Sequence, residues 1–242
     1  MPNPTAAMLV IGDEILSGRT QDKNVNYLAV ALDGKGIALR EVRIIRDDPD
    51  GIVAAVNALR AQVDNVFTSG GIGPTHDDIT ADCVAAAFRV PIDVREDARA
   101  VLATNYANPE VDLNEARLRM ARVPDGAVLI DNPISKAPGF SLENVHVMAG
   151  IPRIFQVMLD GLLPRLTGGA PLLSETVRID QPEGALAAPL GAIAAGYPEV
   201  SIGSYPFTRD GRFGSNVVLR ASDPALLAAA KEAVVEMSGT FS

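Results

Sequence analysis

Cysteine occurs once, at Cys83, so no disulfide can close within the chain. A reducing compartment fits that usage. Cys83 shares helical apolar spacing with Val84, Ala87 and Phe88, and is expected to be a small buried hydrophobe. Histidine occurs only at His76 and His146, and neither has a second His or a Cys at ligand spacing, which argues against a zinc site. His76 lies in a loop that can reach a phosphate, whereas His146 sits in a strand pattern and reads as structural. Basic residues are in the minority, 21 Lys and Arg against 30 Asp and Glu, for a net charge of −9. That overall field repels polyanions, so nucleic acid is not expected as the main partner, although a local pocket for one small phosphate stays open. No run approaches the ~18 uncharged apolar residues of a membrane span. The nearest, Ala185 to Tyr197, is short and is broken by Pro189 and Gly191. Residues 1–7 lack the basic start and apolar core of a signal peptide. The expected location is therefore the cytoplasm, with no membrane partner.

What is present is an ordinary globular composition, 48% apolar and 21% charged over 242 residues, enough for one domain and a smaller second one. The first half alternates short β-rich runs with helical patterns. Residues 7–11, 39–46 and 65–69 read as strands, and residues 24–35, 52–62 and 80–88 as helices, with Gly36 stopping the first. Such alternation predicts a doubly wound, mostly parallel sheet. Residues 95–106 and 113–122 read as two helices separated by Asn108-Pro109. Three short extended pieces follow at 127–130, 138–142 and 145–148, and then a helix over 153–166 opened by Pro152. The stretch Thr167-Gly168-Gly169-Ala170-Pro171 is the best linker, placing one α/β domain at 1–168 and a small α+β domain at 172–242. The latter reads strand 173–179, helix 184–195, strands 200–205 and 216–220, and helix 225–237.

The segment Ser69-Gly70-Gly71-Ile72-Gly73-Pro74-Thr75-His76-Asp77-Asp78-Ile79-Thr80 follows a strand directly and precedes a helix. In an open parallel sheet that is the carboxyl edge, where ligands bind. Glycines permit close backbone approach, and free amides beside a helix N-terminus suit a phosphate. The spacing matches neither Gly-x-Gly-x-x-Gly nor the P-loop. Thr75-x-x-Asp78 also matches a capping box, so Asp78 has a purely structural alternative. Acids beside an anion loop repel phosphate unless a cation intervenes, which points to a metal. Asp48 reads as a helix N-cap with Pro49 behind it, leaving Asp47 free to face a site. Taking the second and third strands as neighbours brings Asp47 and Asp78 to one edge. Glu14, after the first strand, is a third candidate ligand or positioner, while Asp22 or Asn24 reads as a helix cap. Carboxylates converging from three strand ends are what Mg²⁺-assisted phosphoryl chemistry requires.

The run Gly70-Gly71-Ile72-Gly73-Pro74-Thr75-His76-Asp77-Asp78-Ile79-Thr80 resembles the signature of the molybdopterin-binding (MoaB/Mog-like) domain family. Gly12-Asp13-Glu14-Ile15-Leu16-Ser17-Gly18, Asn132-Pro133 and Ala137-Pro138-Gly139-Phe140 are similar to segments of CinA-type members. Thr20-Gln21-Asp22 and Gly150-Ile151-Pro152 extend the likeness to the molybdopterin-binding-like domain of FAD synthase. The resemblance covers about residues 5–166, and more loosely Ser201-Ile202-Gly203-Ser204-Tyr205-Pro206.

The resemblance implies a divalent cation, Mg²⁺ or Co²⁺, on Asp47 and Asp78, with K⁺ as an admissible further ion and molybdopterin as one admissible ligand. It implies Ser69, Gly70, Gly71, Gly73, Thr75, Thr80, Gly139, Gly150 and Pro152 as ligand-binding positions, with Asp47, Asp78 and Glu14 carrying any chemistry. Mog-type relatives adenylylate molybdopterin, while CinA and FAD synthase types are associated with cleavage of a pyrophosphate in ADP-ribose or FAD. The chain shows no counterpart of the CinA amidohydrolase domain or of the sulfate-reductase-like domain that makes FAD, so deamidation and FAD synthesis are not expected. Three readings follow: a metal-dependent nucleotide pyrophosphatase, a molybdopterin adenylyltransferase, or a pterin- or nucleotide-binding module without chemistry. The partner in each is a small nucleotide or pterin phosphate, and a dimer or trimer is implied.

Overall fold

The computed structural model describes residues 3–209 and 211–241. It divides into two compact units, residues 1–169 and 170–242. The first unit runs β1 (Thr5–Ile11), α1 (Asp13–Leu16), α2 (Asn24–Gly34), β2 (Ala38–Ile45), α3 (Pro49–Arg60), β3 (Asn65–Ser69), α4 (Thr80–Phe88), β4 (Ile92–Val94), α5 (Glu96–Ala103), α6 (Pro109–Asp112), α7 (Glu115–Leu118), β5 (Arg122–Pro124), β6 (Val128–Ile130), β7 (Gly139–Leu142), β8 (Val145–Met148) and α8 (Pro152–Leu162). Its main sheet has the order β2-β1-β3-β8-β7-β6. β1 pairs in parallel with both β2 and β3, and β3 with β8, while β7 runs antiparallel between β8 and β6.

The alternation along β1 explains why helices cover both faces. Ala7, Leu9 and Ile11 enter one core with Ile52, Val56 and Leu59 of α3 and Val84 of α4. Ala6, Met8 and Val10 enter a second core with Leu28 and Leu32 of α2 and Phe155, Met158 and Leu159 of α8. A strand buried on both faces must be apolar at every position, and β1 is. This is the doubly wound, mostly parallel architecture the alternation predicts.

Local signals act as read in several places. Asp48 caps α3 by accepting from Gly51 N at 2.7 Å, with Pro49 in the first turn. Gly36 takes φ 69° just past α2. Pro152 opens α8.

Two expectations fail. The second and third strands are not neighbours, because β1 lies between them. The helix expected over 113–122 breaks into α7, a 3-10 turn at Arg119–Ala121 and β5. β5 pairs antiparallel with β4, a two-stranded ribbon that the periodicity does not reveal. Tertiary demands win here: Val123 is buried in the first core, and Arg122 reaches Asp82 of α4 at 2.5 Å.

The second unit runs β9 (Leu173–Ile179), α9 (Glu183–Gly196), β10 (Ser201–Arg209), β11 (Arg212–Ala221) and α10 (Pro224–Gly239), with an antiparallel sheet ordered β10-β11-β9. Val177, Ile179, Val217 and Leu219 pack against Leu186 and Leu190 of α9 and Leu227, Ala230 and Val234 of α10. Both helices thus serve one face of this sheet. Among the described residues, no helix is long and apolar enough to cross a membrane.

Candidate functional site

The carboxyl ends of the parallel strands open onto a cavity of about 560 Å³. Ile11 and Gly12 come from the end of β1, Asp47 from just past β2, Gly70 to Gly73 from past β3, and Ala149 to Pro152 from past β8. The side chains of Asp47 and Asp78 line this one cavity, together with Glu14 and Asp77. Asp47 and Asp78 line one cavity although their strands are separated, because β2 and β3 flank the same strand and end at the same edge.

The glycine loop holds its shape for backbone reasons. Gly70 has φ 105°, and a Cβ there would fall against the carbonyl oxygen of Ile11, closer than real Cβ atoms come. Gly71 has φ 69° and is crowded in the same way by the Thr80 hydroxyl. Gly70 N donates to Met148 O, and Thr80 N to Gly71 O, pinning both ends of the turn. Among the described residues, the amides of Gly71, Ile72 and Gly73 donate to no protein acceptor. They are available to an anion, next to the N-terminus of α4.

The carboxylates are held individually. Asp47 Oδ2 accepts from Asp13 N at 2.9 Å, which anchors α1 over the end of β2. Arg46 clasps the neighbouring Asp13 at 3.0 and 3.3 Å and lowers its pKa below the usual carboxylate range. Asp78 Oδ2 accepts from Thr75 N at 2.8 Å and from Thr75 Oγ1 at 2.5 Å. This is half of the expected capping box, but α4 starts later, at Thr80, with Ile79 in the cap position. Asp78 therefore orders the loop ahead of the helix and does not cap it. Arg119 Nη2 reaches only the backbone oxygen of Asp78, at 3.0 Å.

Among the described residues, no lysine or arginine lines the cavity. A phosphate entering it meets carboxylates and backbone amides, a balance that calls for a cation to offset the like charges. Two hard oxygen donors, Asp47 and Asp78, suit Mg²⁺. Among the described residues, no three of His, Cys, Asp and Glu gather as a metal cluster. A cation here would therefore fill its sphere with water and phosphate oxygens, as Mg²⁺ commonly does.

Gly150 and Pro152 line the cavity, but four other expected ligand positions do not. Ser69 is buried beneath the loop, where its hydroxyl accepts from Asn24. Thr75 is engaged with Asp78. Thr80 is fully buried, and its Oγ1 has no hydrogen-bond partner. Gly139 belongs to the core, where a Cβ would meet Val147 and Met158, so its smallness serves packing.

Sequence reasoning missed Asn24. Asp22, one residue before the cap position at Lys23, accepts from Val25 N at 2.9 Å. Asn24 is instead buried, and its Nδ2 donates to Ser69 Oγ at 2.7 Å and to Gly150 O at 2.8 Å. It ties α2, the end of β3 and the turn after β8 into one frame around the cavity. Met120, Ile151 and Ile154 supply an apolar wall, and Asn132 closes a loop by bonding Ser135 Oγ and Ala137 O. Of these, the Asn132 segment and Ile151 had a signal, in the family likeness.

His146 and Cys83 are structural. His146 is 5% exposed and bridges Ser141 Oγ at 2.9 Å and Asn65 Oδ1 at 3.2 Å. Burial, with Arg165 nearby, pushes its imidazole down to about 4. Cys83 is buried, and desolvation raises its thiol to about 11, so it is inert at neutral pH. The His76 side chain is exposed.

Residues 7–168 match the family described as "Probable molybdopterin binding domain", and residues 171–240 match the "FAD synthase, middle domain". A CinA-like protein of Desulfosudis oleivorans is 36% identical over 166 residues, covering 66% of this chain and 40% of that protein. The chain thus spans less than half the length of that relative. A protein of Archaeoglobus fulgidus is 31% identical over 199 residues, covering 82% and 84%. The solved structure of the protein CinA of Thermoplasma acidophilum, titled as of unknown function, superposes with a TM-score of 0.63 at 30% identity, covering 68% of this chain and 99% of that one. The chain belongs to the molybdopterin-binding domain family in its CinA-like form, and its residues 171–240 are similar to the FAD synthase middle domain.

Proposed function

We propose that the chain is a metal-dependent nucleotide pyrophosphatase acting on a dinucleotide such as ADP-ribose or FAD. The observation that carries this reading is the cavity in which Asp47 and Asp78 face a glycine turn with unengaged amides and no basic side chain. That combination favours a substrate delivered with its own counter-cation, which a nucleoside diphosphate ester provides. The amides of Gly71 to Gly73 are placed to hold one phosphate, and Asp47 and Asp78 would hold the cation. Glu14 orients a water for attack on phosphorus, the P–O–P bridge breaks, and AMP leaves with the second phosphate ester. A bound divalent cation would supply charge neutralisation at the bridging phosphates. The apolar wall of Met120, Ile151 and Ile154 offers a surface for the flat part of the substrate.

Incubation of the purified chain with ADP-ribose or FAD, in Mg²⁺ or Co²⁺ with and without K⁺, should release AMP. An Asp78→Asn variant should lose about a hundredfold or more in rate. Release of no more AMP than that variant gives, across these metals, would overturn the reading.

The family description favours a second reading, in which the same cavity takes a pterin phosphate and the chain transfers AMP to it. It predicts consumption of ATP only when molybdopterin is present. A third outcome, tight calorimetric binding without turnover, would mark a binding module.

A further inference from the structure

The small unit hides one face of its sheet and leaves the other bare. Glu175 of β9 pairs with Lys231 of α10 at 2.8 Å, and Ser204 of β10 bonds Glu183 of α9, so these positions mark the helix-covered face. Strand alternation then puts Arg178, Arg209, Arg212 and Arg220 on the opposite face, with Tyr205 and Phe207 among them. Among the described residues, no strand position of that face carries an acid. In a chain of net charge −9, four arginines therefore share one face whose described strand positions hold no acid.

The aromatic rings lie flat. A Cβ on Gly214, which pairs with Phe207, would strike the Phe207 ring, and one on Gly203 would rest 3.4 Å from the Tyr205 ring. Arg178 stacks over Phe207 at 4.7 Å and is steadied by Asp180, just past β9, at 2.8 Å. Tyr205 is 59% exposed.

We propose that the helix-free face of this small sheet binds single-stranded RNA. Arginines at both ends of β11 are about 26 Å apart at roughly 3.3 Å per residue, a span that a single nucleotide does not bridge. The exposed Tyr205 ring between them, with the Arg178 guanidinium stacked on Phe207 beside it, offers flat surfaces for unpaired bases, which a duplex does not present. Thr176 and Asn216 share the face and can meet ribose hydroxyls. The sequence-based exclusion of nucleic acid rested on net charge. Coulomb attraction falls with distance and salt screens the remainder, so arginines in contact with a phosphate outweigh distant acids. The inference does not depend on the nucleotide cavity of the first unit.

The test is fluorescence anisotropy of the full chain with a labelled single-stranded RNA of about twelve nucleotides. The RNA should bind at low salt, and a duplex of equal length should bind about tenfold more weakly or worse. Single-stranded DNA of the same sequence should also bind more weakly. Tyr205→Leu should cost about tenfold while Tyr205→Phe keeps affinity. Arg220→Gln should reduce the salt slope by about 0.7. Asp78→Asn should bind RNA like the parent, which separates this result from failure of the pyrophosphatase reading. Absence of binding at low salt would overturn the proposal, as would equal binding of duplex. Equal binding of DNA would overturn the assignment to RNA, and full competition by phosphatidylserine vesicles would identify a membrane surface instead. Unchanged affinity in Tyr205→Leu, alongside a lowered melting temperature, would show that the rings only patch the glycines beneath them.

Discussion

The two sheets of this molecule are built under different rules. The large sheet is sandwiched between α3 and α4 on one side and α2 and α8 on the other, so every side chain of β1 from Ala6 to Ile11 is buried. Nothing polar can work on such a face. Chemistry is pushed to the strand ends, where the chain must turn and backbone amides come free. The small sheet is covered on one face only, and its polar, arginine-bearing side remains available to solvent. A sheet closed on both faces acts at its edge, whereas a sheet closed on one can act through its surface. The comparison also bears on strain. Two of the positive-φ glycines of the closed unit, Gly70 and Gly71, sit at the cavity, and their crowding is against a backbone carbonyl or a buried hydroxyl.

The contrast can be broken experimentally. The largest effect is expected at the edge of the closed sheet. Gly70→Ala places a Cβ against Ile11 O at φ 105°, and should cost at least about 3 kcal/mol in urea unfolding and lower AMP release about a hundredfold. A phosphate loop that tolerated Ala would mean that the turn is not constrained as described. Next comes the buried face: Leu9→Ala should destabilise by about 2–5 kcal/mol, whereas Thr176→Ala on the open face should stay within about 0.5 kcal/mol.

A pH dependence of about 3 kcal/mol is expected from His146. Its folded pKa of about 4 lies below the unfolded value of about 6.5, so in this window the unfolded chain binds a proton that the native chain refuses. Stability should therefore fall as pH drops from about 6.5 to about 4. His146→Gln should flatten that part of the profile in denaturant titrations. The smallest effect is expected at a helix end: Asp48→Ala removes the cap on Gly51 N and should cost about 1 kcal/mol, leaving the cavity chemistry nearly intact because Asp47 is held separately.

Most of the fold was legible because its signals are local. The alternating apolar runs, Asp48-Pro49 ahead of α3, Gly36 after α2 and Pro152 before α8 each act within a turn or two of chain. The segment from Arg119 to Pro124 was not legible, because Val123 leaves helix for strand to fill a core made by distant residues. The same holds at the cavity. Asp47, Asp78 and Glu14 could be named from their places after strands. Gly139 was assigned by likeness to a ligand role, yet it lies where Val147 and Met158 leave no room for a Cβ. Asn24, which reads as a helix cap, spends its amide on Ser69 and Gly150, partners far along the chain.

By itself the sequence determined most of the strands and helices, where the glycine turn must fall, and which carboxylates end up beside it, since backbone conformation and apolar periodicity are properties of neighbouring residues. Only the tertiary structure decided that β1 stands between β2 and β3, and that Ser69 and Thr80 are buried under the loop. It also decided that the arginines of the small sheet share one face without an acid among its strand positions. Strand order, burial and the sign of a local surface depend on which distant segments pack together, and no short window of residues contains that information.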